Sequence, residues 1–245
     1  MKAFIKYLWI QLKMDLRDKG TLMHFYLVPL LFFFVMGSVL SSINPLMKTT
    51  LAATMTIFAV TMGSIMGSPT PIVKMRESGT LRAFKVNGIP GAAVLSIHAF
   101  SAFIHLLLVS VIIYIAAPVI FHSNIPNSSG YYFTVLIVFL FASIGIGLFI
   151  GVIARDQSFS TMFSMIIFLP SLLLSGIMFP ASMLPKSFMW LGRIFPATHA
   201  LQSFYGLAYQ TKTDINANLS ICIVTMVGVF MFILSIWQFA NIGRN

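Results

Sequence analysis

Charge is what this sequence has least of. Charged residues make up 8% of the chain, and only five are acidic, where a soluble domain carries about 25% charged residues. Hydrophobic residues reach 58%, with 24 Phe and 16 Met, which excludes a water-facing surface. The single cysteine, Cys222, excludes an intramolecular disulfide. No Gly-rich loop ends in Lys-Ser or Lys-Thr, so this chain is not expected to hydrolyse ATP by the phosphate-loop route. The histidines His24, His98, His105, His122 and His199 form no HExxH pair and have no Cys partner, so neither a metal nor a cofactor is expected. A membrane enzyme needs a polar catalytic cluster, and none is visible.

What is present is a series of charge-free runs: 20–47, 49–73, 86–154, 157–185 and 215–243, with a shorter one at 194–211. A span needs about 20 apolar residues to cross hydrocarbon. Run 86–154 is long enough for two spans, and its polar middle at 122–130 supplies the turn. The runs predict helices near 22–43, 50–72, 92–117, 131–153, 157–176 and 217–240. Lipid offers the backbone no hydrogen-bond partner, so helices are required. Barrel strands would show about ten-residue alternation, which these continuously apolar runs lack. The expected fold is an all-α membrane protein of six transmembrane helices, forming one permease-like domain over 1–245.

The formal net charge of +10 raises the possibility of a nucleic-acid partner. The distribution argues for a membrane instead, with no nucleic acid. Placing the N-terminus in the cytoplasm leaves Lys2, Lys6, Lys13, Arg17, Lys19, Lys74, Arg76, Arg82, Lys85, Arg155 and Arg244 inside, and only Lys48, Lys186, Arg193 and Lys212 outside. Positive charge collects on the cytoplasmic side of membrane proteins. Both termini are therefore expected in the cytoplasm.

Residues 1–20 read as an interfacial helix. At 100° per residue, Lys2, Lys6, Lys13 and Arg17 fall between 200° and 260°, while Phe4, Ile5, Leu8, Trp9, Leu12 and Leu16 fall between 40° and 180°. Such a helix suits the lipid headgroup boundary; packing on a partner protein is the competing reading. The loop KMRESGTLRAFKVNGIPG at 74–91 is short and cytoplasmic, with four basic residues around Glu77. Its centre at 75–86 is helix-compatible, and Gly88 and Pro90 stop the helix. Gly147 and Gly151 form a small-xxx-small pair, suited to internal packing or to a subunit interface. His98 and His105 share one face of the third helix, where interhelical hydrogen bonding is the expected role.

From Pro170 onward the apolar sequence is broken by Gly176, Pro180, Pro185 and Pro196. Residues 177–211 are expected to form an outer re-entrant segment of two short helices, near 182–193 and 197–209. Non-helical backbone at that depth must be buried in protein or line a water-filled space, so a plug and a gate both remain open. The predicted spans hold no Asp, Glu, Lys or Arg in their interiors. Ion-coupled carriers usually keep such groups despite their cost, so the driving force is expected to come from outside the membrane domain. An ATPase-independent carrier or channel is the alternative.

Two stretches carry a family resemblance. RESGTLRAFKVNGIPG at 76–91 resembles the loop after the second span of type-2 ABC transporter permeases, with its acidic-Gly-Thr-Leu pattern before a coupling helix. LSGIMFPASMLPKSFMWLGRIFPATHAL at 174–201 resembles that family's segment after the fifth span. The resemblance implies a six-helix protomer that pairs with a second copy or a paralogue and docks on separate ATP-binding subunits, where ATP is held. It implies export of drugs, antibiotics, lipids or glycan chains across the plasma membrane, with overall resemblance favouring the drug or lipid branch over long glycans. Glu77, Gly79, Thr80, Leu81 and Arg82 would then contact the ATPase. Gly176, Pro180, Pro185 and Pro196 would lie near the exit, with Phe204 and Tyr205 where many members have an arginine.

Overall fold

The computed structural model describes residues 2–43, 48–179 and 183–242, and those residues form helices and connecting turns without a strand. Six helices are long and apolar enough to cross a membrane: Lys19–Val39, Leu51–Glu77, Gly91–Phe121, Ser129–Ile153, Gln157–Leu174 and Ala217–Ala240. They are numbered here as the first to sixth spans, and the end of the bundle carrying residues 76–91 is termed inner. Each expected span is found. The main difference is that the second helix runs on to Glu77 rather than ending near 72. Lys74 and Arg76 do not end it, because their side chains find partners beside the helix.

The second span forms the axis of the bundle. Of its apolar window 89% is buried, against 22% for the first and sixth spans. Glycine makes this possible. A β-carbon on Gly147 of the fourth span would collide with the Ser64 carbonyl oxygen of the second, and one on Gly151 would stand 3.0 Å from the Pro69 backbone. Close backbone approach of this kind is what small residues permit between membrane helices. The pair therefore serves internal packing. Ser164 of the fifth span donates to the Ile65 carbonyl at 2.7 Å, joining a third helix to the same axis.

Two π-helical turns face each other where the first and second spans cross, Met23–Leu27 and Gly63–Gly67. The Phe25 ring fills the space beside Gly63 and Gly67. Gly145 opens the other side of the fourth span to Phe232 of the sixth, where Phe141 and Phe232 stack at 4.2 Å.

The N-terminal helix spans Lys2–Asp15, shorter than the expected 1–20. The chain then turns, and Asp18 caps the first span by accepting from the Thr21 backbone N–H at 2.9 Å. Ile5, Trp9 and Leu16 are exposed, whereas Gln11 and Asp15 face the bundle and are buried. At the outer end, the short helices Lys186–Gly192 and Pro196–Ser203 follow the fifth span, the second continuing into a π turn at Phe204–Ala208. The two differ sharply. Phe188, Trp190 and Leu191 of the first are exposed, while every residue of Pro196–Ser203 beyond its first is buried.

Candidate functional site

The inner loop holds the residues that the sequence marks for coupling. The second span stops at Ser78 because Gly79 takes φ +74, a left-handed conformation that glycine adopts without steric cost. The helix-compatible stretch 75–86 is therefore divided between two helices with a corner, the second being Thr80–Val86. Thr80 and Ser78 share a hydroxyl hydrogen bond at 2.8 Å across the corner. Leu81 packs back on the core, while Arg82, Lys85 and Val86 are exposed. Phe84 meets the Tyr7 ring of the N-terminal helix at 5.5 Å. Gly88 repeats the left-handed turn at φ +74, and Pro90 precedes the third span.

Glu77 does not pair with its basic neighbours. Lys74 is 3.0 Å from Asp18. The Arg76 guanidinium donates to the Val152 carbonyl at 2.5 Å and to the Ala154 carbonyl, at the end of the fourth span. Glu77 Oε1 accepts from the Gln157 backbone N–H at 3.1 Å, at the start of the fifth. Gln157 Nε2 reaches back to Thr70 Oγ1 at 3.0 Å.

Sequence reasoning missed Asp15. The residue is 6% exposed, and its carboxylate accepts from Gln11 Nε2 at 2.8 Å and Ser101 Oγ at 2.5 Å. His105 Nε2 stands 3.9 Å away, and His105 Nδ1 is 2.6 Å from the Tyr26 hydroxyl. The expected interhelical role of His105 is thus present, whereas His98 is buried without a partner for its Nε2. No Lys or Arg lies within ion-pair distance of Asp15 among the described residues. The third span, free of acids and strong bases in its own sequence, therefore receives an ionisable group from outside itself. Burial pushes the Asp15 carboxyl above the usual carboxylate range; hydrogen bonds from Ser101 and Gln11 and the nearby His105 oppose this. The signal was available. At 100° per residue Asp15 falls at 60°, within the apolar arc of its helix.

At the outer end, Gly176 takes φ +90, and a β-carbon there would stand 3.0 Å from Leu201. Pro185 and Pro196 open the two short helices, while Pro180 lies outside the described residues. The buried short helix is held to the end of the exposed one: Thr198 Oγ1 donates to the Gly192 carbonyl at 2.5 Å, and His199 Nε2 lies 2.8 Å from the Arg193 carbonyl. Phe204 packs on Tyr132 at 4.8 Å, and the Tyr205 hydroxyl lies 3.3 Å from Thr54 Oγ1. Aromatic packing thus fills the neighbourhood of the absent arginine.

Six apolar helices of membrane-spanning length among the described residues, one of them the buried axis, define a multi-pass helical membrane protein. Residues 2–209 match the family model described as "ABC-2 type transporter", and the chain belongs to that family. It is also similar to a protein named "ABC transporter G family member 20" from Dictyostelium discoideum, 30% identical over 80 residues. That match covers 33% of this chain and 11% of the relative's length.

Proposed function

We propose that this chain is the transmembrane subunit of an exporter powered by separate ATP-binding subunits, working as a dimer with a second copy or a paralogue. Membership of the ABC-2 type family is the observation that carries the reading. The loop geometry supports it: Gly79, Thr80, Leu81 and Arg82 form a corner and short helix whose exposed side leaves Arg82, Lys85 and Val86 uncommitted. Glu77 belongs to the same coupling region. The substrate is an amphipathic drug, antibiotic or lipid, moved outward across the plasma membrane, with both termini cytoplasmic and Gly176, Pro185 and Pro196 near the exit. The apolar, lipid-facing exterior of most spans supports a substrate that reaches the protein through the bilayer.

The test has two arms. The purified chain alone should not hydrolyse ATP, and hydrolysis and transport should appear only with a co-purified ATPase. Proton-driven substrate uptake by proteoliposomes holding this chain alone would overturn the reading in favour of a secondary carrier. On a Cys222→Ser background, Ser128→Cys should react with an impermeant maleimide on intact cells and Ser78→Cys should not.

A further inference from the structure

The dipeptide Arg76-Glu77 meets two helix ends at once, and its charges fall in the order those ends require. A helix C-terminus carries partial negative charge on its unpaired carbonyls, and an N-terminus carries partial positive charge on its unpaired N–H groups. Arg76 puts its cation on the Val152 and Ala154 carbonyls, where the fourth span ends at Ile153. Glu77 puts its anion on the Gln157 N–H, where the fifth span begins. Adjacent residues on a helix diverge by about 100°, so one turn of the second span reaches both ends. Reversing the dipeptide would set cation against N–H groups and anion against carbonyls.

The strap between those two ends is only residues 154–156. Asp156 uses its own carboxylate within it, accepting from the Phe159 N–H at 2.8 Å. A strap this short transmits displacement rather than absorbing it. The fifth span is also joined to the second by Gln157 to Thr70 and by Ser164 to Ile65.

We propose that Arg76 and Glu77 are positioning residues, a two-charge clasp that delivers movement of the inner loop to the start of the fifth span. The inference rests on the reading that an ATPase acts on that loop. Glu77 then works through the fifth helix rather than by meeting the ATPase itself.

Hydrogen exchange on the full chain in lipid nanodiscs tests the clasp directly. Glu77→Ala should speed exchange in the peptide covering 155–160 by about tenfold, as expected for loss of a charge-assisted bond. Glu77→Gln, whose amide oxygen still accepts, should restore most of the protection. Unchanged exchange in Glu77→Ala would remove the clasp.

Transmission is read in the complex with the co-purified ATPase, using spin labels on the Cys222→Ser background. Between positions 86 and 158 the distance should stay constant on adding ATP and vanadate, while that between 158 and 112 should change. In Arg76→Gln/Glu77→Ala the pattern should invert, with ATPase recovery unchanged. Asp156→Ala is the control for simple capping: it frees the Phe159 N–H in the first turn of the fifth span, yet should leave both distances behaving as in the unmodified chain. Loss of ATPase recovery in Glu77→Ala would instead make Glu77 a direct ATPase contact and sink the clasp as transmitter. If no ATPase binds the unmodified chain, the exporter reading fails, and the exchange result still decides whether the clasp exists.

Discussion

The second and fourth spans meet backbone to backbone, whereas the N-terminal helix meets the third span through a hydrogen bond between side chains. In the first contact Gly147 and Gly151 bring the fourth helix onto Ser64 and Pro69, leaving nothing between them that can adjust. In the second, Gln11, Asp15, Ser101, His105 and Tyr26 form a buried polar chain whose central member is a carboxyl without a strong base. The first is insensitive to pH and intolerant of volume. The second is held by hydrogen bonds to a carboxyl that burial pushes above the usual carboxylate range. The tightest backbone packing therefore lies in the block that joins the inner loop to the fifth span, and the titratable contact in the helix that flanks it.

The largest expected effect breaks the rigid contact. Gly147→Val places a branched side chain against the Ser64 carbonyl. Overpacking of that kind should cost about 3 kcal/mol, read as loss of the monodisperse peak and a lower melting temperature in detergent. A variant as stable as the unmodified chain would mean that the two helices are free to separate.

Asp15→Ala comes next. It leaves the Ser101 hydroxyl and the Gln11 amide without their acceptor, at a cost of about 1–3 kcal/mol for such buried groups. Docking of the N-terminal helix should weaken, seen as a broader distance distribution between spin labels at positions 10 and 112. Asp15→Asn keeps the shape and should dock normally.

The same labels test the proton. Asp15 has its pKa raised in the folded protein, so the folded state binds that proton more tightly than the unfolded chain does. The contribution is complete below the unfolded carboxyl value of about 3.9 and is lost as pH rises through the raised folded value. Docking should therefore loosen as pH rises through that raised value in the unmodified chain and stay constant in Asp15→Asn. Parallel behaviour of the two would show that the carboxyl does not govern docking.

The smallest effect sharpens the comparison. Lys74 and Asp18 are paired at 3.0 Å with side chains 54% and 37% exposed. Water screens such a pair, so Lys74→Gln should shift stability by less than about 1 kcal/mol, within the error of a melting curve. A larger loss would make this ion pair an anchor between the start of the first span and the inner end of the second.

The six spans were legible because lipid imposes one rule along the whole chain: apolar, about 20 residues long, and helical. The inner end of the second span was not. Lys74, Arg76 and Glu77 read as a loop because their partners, Asp18, the carbonyls of residues 152 and 154, and the Gln157 N–H, come from distant segments. The corner at Gly79 was equally hidden, since glycine permits a left-handed turn without requiring it. For Asp15 the clue was in plain view, an acid on an apolar arc, but helical spacing cannot say what covers that arc.

What the sequence determined by itself was the solvent and the number of crossings, because both follow from composition and run length. Tertiary structure alone decided which helix became the axis, that the Gly147 and Gly151 stripe was spent inside the chain, and that Pro196–Ser203 is buried while Lys186–Gly192 is exposed. It also decided where the few charges go. Arg76 and Glu77 meet helix ends, Asp15 meets a hydroxyl of the third span and Lys74 meets Asp18, all partners distant in sequence that only the fold brings within reach.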